Sequence, residues 1–137
     1  MKPMSDNFFL DSNICLYLLG NDSAKRNTAL ELLNNNPTIS TQVLNENINV
    51  LFKKFKLFSI SDIEIHLGFL QQNCAVEIIT VNTIISALKI KKRYQLQWYD
   101  SLIVATALQK GCSILYSEDM QHRLVIEKQL SIINPFL

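Results

Sequence analysis

The residues most able to carry chemistry are four carboxylates that flank apolar segments of the chain. Asp11 directly follows an apolar stretch at 7–10, and Asp119 follows another at 114–116 after two residues. Both stretches are predicted to be short buried strands. Because the carboxyl ends of parallel strands meet at one edge of a sheet, Asp11 and Asp119 are expected on the same edge.

Predicted helices place the other two carboxylates. Asp100 opens a helix predicted over 98–110, and it shares a face with the apolar Ile103. A carboxylate on an apolar face is costly unless something pairs with it. Glu46 lies one to two turns into a helix predicted over 41–56, at the edge of that helix's apolar stripe.

The expected convergence of these acids points to a divalent cation. Close carboxylates repel one another unless a cation neutralises them, and oxygen ligands without His or Cys suit Mg²⁺ or Mn²⁺ rather than zinc. Such a site can turn water into hydroxide and stabilise the charge that develops on a phosphodiester. Taken singly, each acid also has a structural interpretation: Asp11 as a helix cap, Asp100 as a partner of the helix dipole, Glu46 as a solvated residue and Asp119 as a turn residue.

Strands and helices alternate along the whole chain. Helices are predicted over 14–19 with Ser12 as the N-cap, 23–35, 41–56, 60–72, 82–93 and 98–110, and strands over 7–10, 38–40, 75–80, 112–116 and 131–133. In the third helix the predicted apolar stripe is Leu44, Ile48, Leu51 and Phe55. This alternation predicts the α/β class, with one domain over 1–137 built on a central parallel sheet flanked by helices on both faces.

The bulk properties exclude several kinds of protein. With 137 residues there is room for one core, and the net charge of +1 gives no argument for nucleic acid, so any such argument must come from local patches. The three cysteines stand apart in apolar runs, which indicates buried thiols in a reducing compartment rather than a zinc site. No signal peptide or membrane span is visible, and a cytoplasmic location is expected.

Four stretches together resemble the PIN-domain family, and within it the VapC-like toxins of toxin–antitoxin pairs. They are Phe9-Leu10-Asp11-Ser12-Asn13, the segment 41–54, the segment 98–105 and the segment 115–121. The resemblance covers nearly the full length. It implies that Asp11, Glu46, Asp100 and Asp119 form a metal-binding catalytic quartet that Asn13 and Ser117 support. One departure is His122-Arg123-Leu124, where relatives often carry a glycine.

The resemblance also implies an activity and partners. The activity is endoribonuclease cleavage by water activated with Mg²⁺ or Mn²⁺. The partners are an RNA substrate, a second copy of the chain in a homodimer, and a small antitoxin that holds the toxin inactive and docks beside the acids. DNA would be contacted only indirectly, through the antitoxin.

Two basic clusters offer local contacts for a phosphate backbone. Lys53, Lys54 and Lys56 end the third helix, and Lys89, Lys91, Lys92 and Arg93 end the fifth. They either complement the helix dipoles or contact RNA phosphates beside the acids, with Lys53, Lys54, Lys91, Lys92 and Arg93 as the possible contacts. Tyr94, Trp98 and Tyr99 follow the second cluster, and either stack on unpaired bases or pack in the core. His66 and His122 are interpreted as incidental surface residues.

Two alternatives remain open. A phosphoryl-transfer enzyme of the haloacid-dehalogenase type needs a second aspartate two residues after the first, where this chain has Asn13, and the receiver type needs paired acids early in the chain. A catalytically inactive PIN-like module that binds RNA or regulates is the other alternative, although the expected loss of an acid is not seen.

Overall fold

The computed structural model describes residues 7–54 and 58–137, which alternate between strands and helices. The strands are β1 (Phe8–Leu10), β2 (Thr38–Ser40), β3 (Ala75–Glu77), β4 (Ile114–Tyr116), β5 (Val125–Ile126) and β6 (Leu130–Ile133). The helices are α1 (Ser12–Leu16), α2 (Ser23–Leu33), α3 (Thr41–Lys54), α4 (Ile60–Asn73), α5 (Val81–Tyr94) and α6 (Trp98–Gln109), with a 3₁₀ turn at Tyr17–Leu19. The α/β class predicted from the sequence is confirmed.

The six strands form one sheet in the order β3-β2-β1-β4-β6-β5. All neighbouring pairs are parallel except β5 with β6, which form an antiparallel hairpin. The turn of this hairpin holds Glu127 and Lys128, both with positive φ (53° and 54°). Because such turns are usually signalled by Asn-Gly or Asp-Gly, the sequence did not reveal β5.

The strand order also decides where the helices lie. The chain steps outwards from β1 to β2 to β3 and then returns across the sheet to β4. The two outward crossovers and the return crossover are right-handed but run in opposite directions. The helices from α1 through α4 therefore lie on one face of the sheet, and α5 and α6 lie on the other. The helices therefore flank the sheet on both faces, as predicted.

The centre of the sheet and the helix α6 form the core. Phe9, Leu10 and Leu115 on the central strands are fully buried, and so is almost every residue of α6 from Ser101 to Ala107. A helix that is apolar on all sides belongs inside a protein. Asp100 stands just before this buried segment, so the core fixes the direction of its helix.

Several predicted boundaries differ from those observed. The strand predicted over 75–80 ends at Glu77, and the helix predicted over 14–19 divides into α1 and the 3₁₀ turn. The predicted apolar stripe of α3 is confirmed at Leu51, but the other buried positions of the helix are Val43 and Asn47, while Leu44 and Ile48 are half-buried. Phe55 and Lys56, which the predictions also named, lie outside the described residues. None of the helices in the described residues is long and apolar enough to cross a membrane.

Candidate metal and nucleic-acid site

Asp11 is both the N-cap of α1 and the most buried of the four acids. Its Oδ1 accepts a hydrogen bond from the Ser12 backbone N–H at 2.7 Å, and its Oδ2 accepts one from the Ser117 hydroxyl at 2.7 Å. Ser12, predicted as the cap, is instead the first helical residue, because Asp11 already has the extended backbone of a cap and a side chain that reaches the helix. Asp11 is only 4% exposed.

Burial gives this carboxyl an unusual affinity for protons. Desolvation raises the pKa of Asp11 from 3.8 to about 7, and the negative charges of Asp100 and Glu46 raise it further, while the hydrogen bonds from Ser117 and Ser12 oppose the shift. At neutral pH a nearby cation would favour the charged form of such an acid. The structure therefore supplies a reason for a cation at this point of the sheet edge.

Asp100 stands in the first turn of α6 and faces the same place. Desolvation raises the pKa of its carboxyl, with repulsion from Glu46 and then from Asp119 adding to the effect. Asp100 also contributes to the raised pKa of Asp11. These mutual repulsions show that the four carboxylates lie near one another beyond the carboxyl ends of β1 and β4.

Glu46 carries an unsatisfied oxygen in the second turn of α3. Its Oε1 is buried and has no hydrogen-bond partner. A buried acceptor without a partner is destabilising by about 1–3 kcal/mol, so such groups usually mark a place where another species binds. Glu46 also lines an open cleft between α3 and the beginning of α6.

Asn13 and Ser117 connect the acids to the strand ends. Asn13 Nδ2 donates to Asp119 Oδ2 at 2.9 Å, and its Oδ1 accepts from the Glu118 backbone N–H at 3.4 Å. The Ser117 hydroxyl donates to Asp11 and accepts from the Met120 backbone N–H at 3.2 Å. Both side chains thus orient an acid and tie β1 to the loop after β4.

A second anchor of that loop was not anticipated from the sequence. Lys25 Nζ donates to Glu118 Oε2 at 2.5 Å, the Tyr17 hydroxyl donates to Glu118 Oε1 at 2.5 Å, and Lys25 Nζ lies 4.8 Å from the centre of the Tyr17 ring. Burial raises the pKa of Glu118, but the hydrogen bonds from Lys25 and Tyr17 outweigh it and leave this pKa below its usual range. The anchor restrains the residue that precedes Asp119.

His66, interpreted as an incidental surface residue, is in fact buried. Its Nε2 lies 2.9 Å from Asn47 Oδ1, and Asn47 Nδ2 donates to the Ser12 carbonyl at 3.2 Å and to the Val43 carbonyl at 3.1 Å. Burial lowers the pKa of His66. Asn47 therefore links α4 and α3 to the start of α1. A polar residue at a buried position of the α3 face was the only signal available in the sequence.

The four acids have the donor chemistry of a site for a hard divalent cation. They supply carboxylate oxygens, one of them buried without a partner. Within residues 7–54 and 58–137, however, no three Asp, Glu, His or Cys side chains are grouped closely enough to hold a metal ion. Asp11 and Asp119 are turned towards their own hydrogen-bond donors. These residues carry the oxygen donors that a divalent cation prefers. Their side chains would have to move closer together to bind one.

The two basic clusters differ in their relation to the acids. Lys53 lies seven residues after Glu46 and four after Asn49, so the α3 backbone places it on the face that borders the cleft. Arg93 pairs instead with Glu127 at 2.7 Å. Glu127 precedes β6 at the amino edge of the sheet, whereas Asp11 follows β1 at the opposite edge.

No hydrogen bond or ion pair among the described residues joins the second cluster to the acids. Lys91 Nζ donates to the Leu96 carbonyl at 2.9 Å, which stabilises the end of α5. Lys92 is exposed on the same helix end. Contact of either basic cluster with RNA phosphates therefore stays a prediction.

The loop after Asp119 keeps a left-handed residue without a glycine. Arg123 has φ 71°, and its backbone N–H donates to the Ile132 carbonyl at 2.7 Å. His122 Nδ1 accepts from the Asn134 backbone N–H at 2.9 Å. His122 is thus held by the chain segment after β6, and the backbone of the loop retains the turn for which a glycine would be the easier residue.

Comparison with known proteins identifies the fold independently. The family model described as the PIN domain matches residues 8–127. None of the curated proteins matches the chain significantly. Among solved structures, Mycobacterium tuberculosis VapC20, described as a toxin that cleaves the sarcin–ricin loop, is 21% identical to this chain with a TM-score of 0.66. The match covers 82% of this chain and 90% of VapC20.

Two further structures are similar over almost their full lengths. A toxin–antitoxin complex from Klebsiella pneumoniae is 17% identical with a TM-score of 0.67, covering 94% of this chain and 97% of that one. VapBC2 from Rickettsia felis, bound to a DNA fragment from its promoter, is 22% identical with a TM-score of 0.64, covering 93% and 98%. At these identities the likeness demonstrates a shared fold.

Proposed function

This chain belongs to the PIN-domain family, and from that premise we propose that it is a metal-dependent endoribonuclease, the toxin of a toxin–antitoxin pair. PIN-domain proteins are nucleases that act on RNA. The observation that carries the proposal is the convergence of Asp11, Glu46, Asp100 and Asp119 at one sheet edge, with Asp11 buried and Glu46 Oε1 unpartnered. The domain would extend over 1–137.

The four carboxylates would hold Mg²⁺ or Mn²⁺. When bound, such a cation supplies positive charge that lowers the pKa of nearby water and stabilises the charge developing on a phosphodiester. The protein's own contribution is positioning. Ser117 and the Ser12 N–H hold both oxygens of Asp11, and Asn13 holds Asp119. Lys53 and Lys54 would contact phosphates further along the RNA.

The experiment that tests this proposal separates metal binding from cleavage. Purified chain is incubated with structured and unstructured RNAs in Mg²⁺ or Mn²⁺, with and without EDTA, beside Asp11→Asn and Asp100→Asn. Glu64→Gln is the matched control, because Glu64 is an exposed helical acid outside the cluster. Cation binding is measured separately by calorimetry.

The proposal predicts cutting that needs the metal, persists in Glu64→Gln and is lost in both aspartate variants. Cation binding and RNA binding without cutting by any divalent metal would instead establish the inactive RNA-binding module. Failure to bind a cation or RNA at all would reject both functions.

A small antitoxin is the partner that we infer, by analogy with the toxin–antitoxin complexes of the same fold. An apolar groove of about 370 Å³ between the 3₁₀ turn, α2 and α4 fits a partner of this kind. Its lining includes the apolar residues Leu18, Leu30, Ile65 and Phe69. Ile65 is 71% exposed. Contact with DNA would then occur through the antitoxin. Light scattering of the isolated chain tests the homodimer that we propose. We also propose a cytoplasmic location, where cellular RNA is available as the substrate.

A further inference from the structure

The cleft that contains Glu46 is lined mainly by neutral polar groups. It is open, has a volume of about 500 Å³, and lies between α3 and the beginning of α6. Gln42, Asn45 and Asn49 follow one another on α3 at spacings of three and four, so their amides form a row on one helix face. The row continues directly from the carboxylate of Glu46.

No side-chain hydrogen bond engages these three amides in the described parts of the chain, and because Asn45 and Asn49 are exposed and Gln42 is half-buried, their polar groups are accessible from the cleft. An amide offers a donor pair and an acceptor side by side. This is the combination that matches the edge of a nucleobase, and Asn and Gln pair with adenine through two hydrogen bonds in this way. The row can therefore read a base, whereas it has no charge with which to bind a phosphate.

Tyr99 faces the amides from the first turn of α6. It is 57% exposed, and it lines the cleft next to Asp100. The other two aromatic residues of this region are occupied: Trp98 packs against the small core cluster of Ala87, Leu102 and Ala105, and the Tyr94 hydroxyl donates to Glu127 at 2.7 Å. Tyr99 is thus the aromatic ring beside the acids that is available for stacking.

We propose that this cleft is a binding site for one unpaired nucleobase, which stacks on Tyr99 and is read by the amides of Asn45 and Asn49. The inference rests on the proposed nuclease function, since the base would belong to the nucleotide beside the bond that is cut. Stacking tolerates every base, and the amides supply the preference among bases. Double-stranded RNA, whose bases are paired and stacked, cannot enter the cleft.

Binding and base preference are measured separately from cleavage. All binding is measured in an Asp11→Asn background, which is expected to prevent cutting in the presence of Mg²⁺. Fluorescence anisotropy gives the Kd for three probes: a short single-stranded RNA, a DNA of the same sequence and a duplex RNA. The variants are Tyr99→Ala, Tyr99→Phe and Asn49→Ala. Leu88→Ala and Gln71→Ala are the controls, an exposed apolar residue on α5 and an exposed amide on α4, both outside the lining of the cleft. Circular dichroism checks that each variant is folded.

Tyr99→Ala is expected to weaken binding of the single strand about tenfold and Tyr99→Phe to leave it near the parent value, because the ring and not the hydroxyl stacks. Duplex binding and both controls should be unchanged. In the active background, Asn49→Ala should flatten the base preference around the cut on a randomised RNA.

Several outcomes would overturn the inference alone. They are equal losses in Tyr99→Ala and Leu88→Ala, an unchanged affinity in Tyr99→Ala, or an unchanged cutting pattern in Asn49→Ala, each while the parent binds RNA normally. If the parent binds no RNA, the nuclease function fails as well. Equal effects on the RNA and DNA strands would keep the base site and place the selection of RNA elsewhere.

Discussion

Replacing Asp11 by Asn should stabilise the metal-free protein at alkaline pH. The folded chain holds the Asp11 proton more tightly than the unfolded chain does, because burial raises this pKa from 3.8 to about 7. Stability therefore falls as the pH rises between these two values and levels off above the upper one. The charged carboxyl should destabilise the fold by about 4 kcal/mol at pH 8, since one pKa unit corresponds to about 1.4 kcal/mol.

Asparagine keeps the shape and can still cap α1, but it carries no charge. Urea unfolding in EDTA at pH 5 and pH 8 measures the effect for both proteins. The parent should lose about 2.5 kcal/mol more than Asp11→Asn between the two pH values, because part of the penalty is already present at pH 5. The difference removes contributions that the two proteins share, including that of Asp100.

Added Mg²⁺ or Mn²⁺ should reverse the order at pH 8. The cation stabilises the parent by an amount that grows with the logarithm of one plus its concentration over the dissociation constant, and the variant lacks one ligand. Parallel stability curves from pH 5 to pH 8 in EDTA would refute the reasoning, because Asp11 would then titrate alike in the folded and unfolded chains.

Three other predictions concern the ionisation of Asp11, the contacts of Asn47 and the turn at Arg123. The kcat/KM for RNA at a Mg²⁺ concentration well below saturation should rise with pH through about 7 and then level off, because the cation binds the ionised form of Asp11, and a pH–rate profile at that fixed concentration checks this. Asn47→Ala should lower the free energy of unfolding by about 2 kcal/mol, because it leaves the buried His66 and the Ser12 carbonyl without a partner, whereas Asn49→Ala should change it by less than about 0.5 kcal/mol in the same thermal unfolding assay. Arg123→Gly should raise the midpoint of urea unfolding, by about 1 kcal/mol in free energy, because it relieves a left-handed conformation; a lower midpoint would contradict this.

The strands and helices that position the acids could be predicted because their apolar patterns are local. The position of Asp11 after β1 and of Asp119 after β4 required only that neighbouring strands run in parallel. What could not be predicted were contacts between segments distant in sequence. The pairing of Lys25 with Glu118 and of His66 with Asn47 depends on how helices pack, which periodicity does not encode.

The basic residues at the end of α5 also show that contacts between distant segments cannot be predicted from local sequence. They follow one another in sequence just before the helix of Asp100, which suggested that they flank the acids. The fold instead brings Arg93 to Glu127, in a hairpin turn that no local signal announced. The partner of Arg93 is thus decided by packing between distant segments and not by proximity in sequence.

The two margins of the sheet limit how the protein can associate with itself. One margin is β3, with three residues, and the other is β5, with two. A charged side chain stands at each margin: Glu77 ends β3, and Lys128 lies in the turn after β5. Short, charged outer strands resist the addition of further strands, which is the route to aggregation and to continuous intermolecular sheets. A second copy of the chain is therefore expected to pair through elements other than the outer strands, and the protein can accumulate without its sheet serving as a template for fibres.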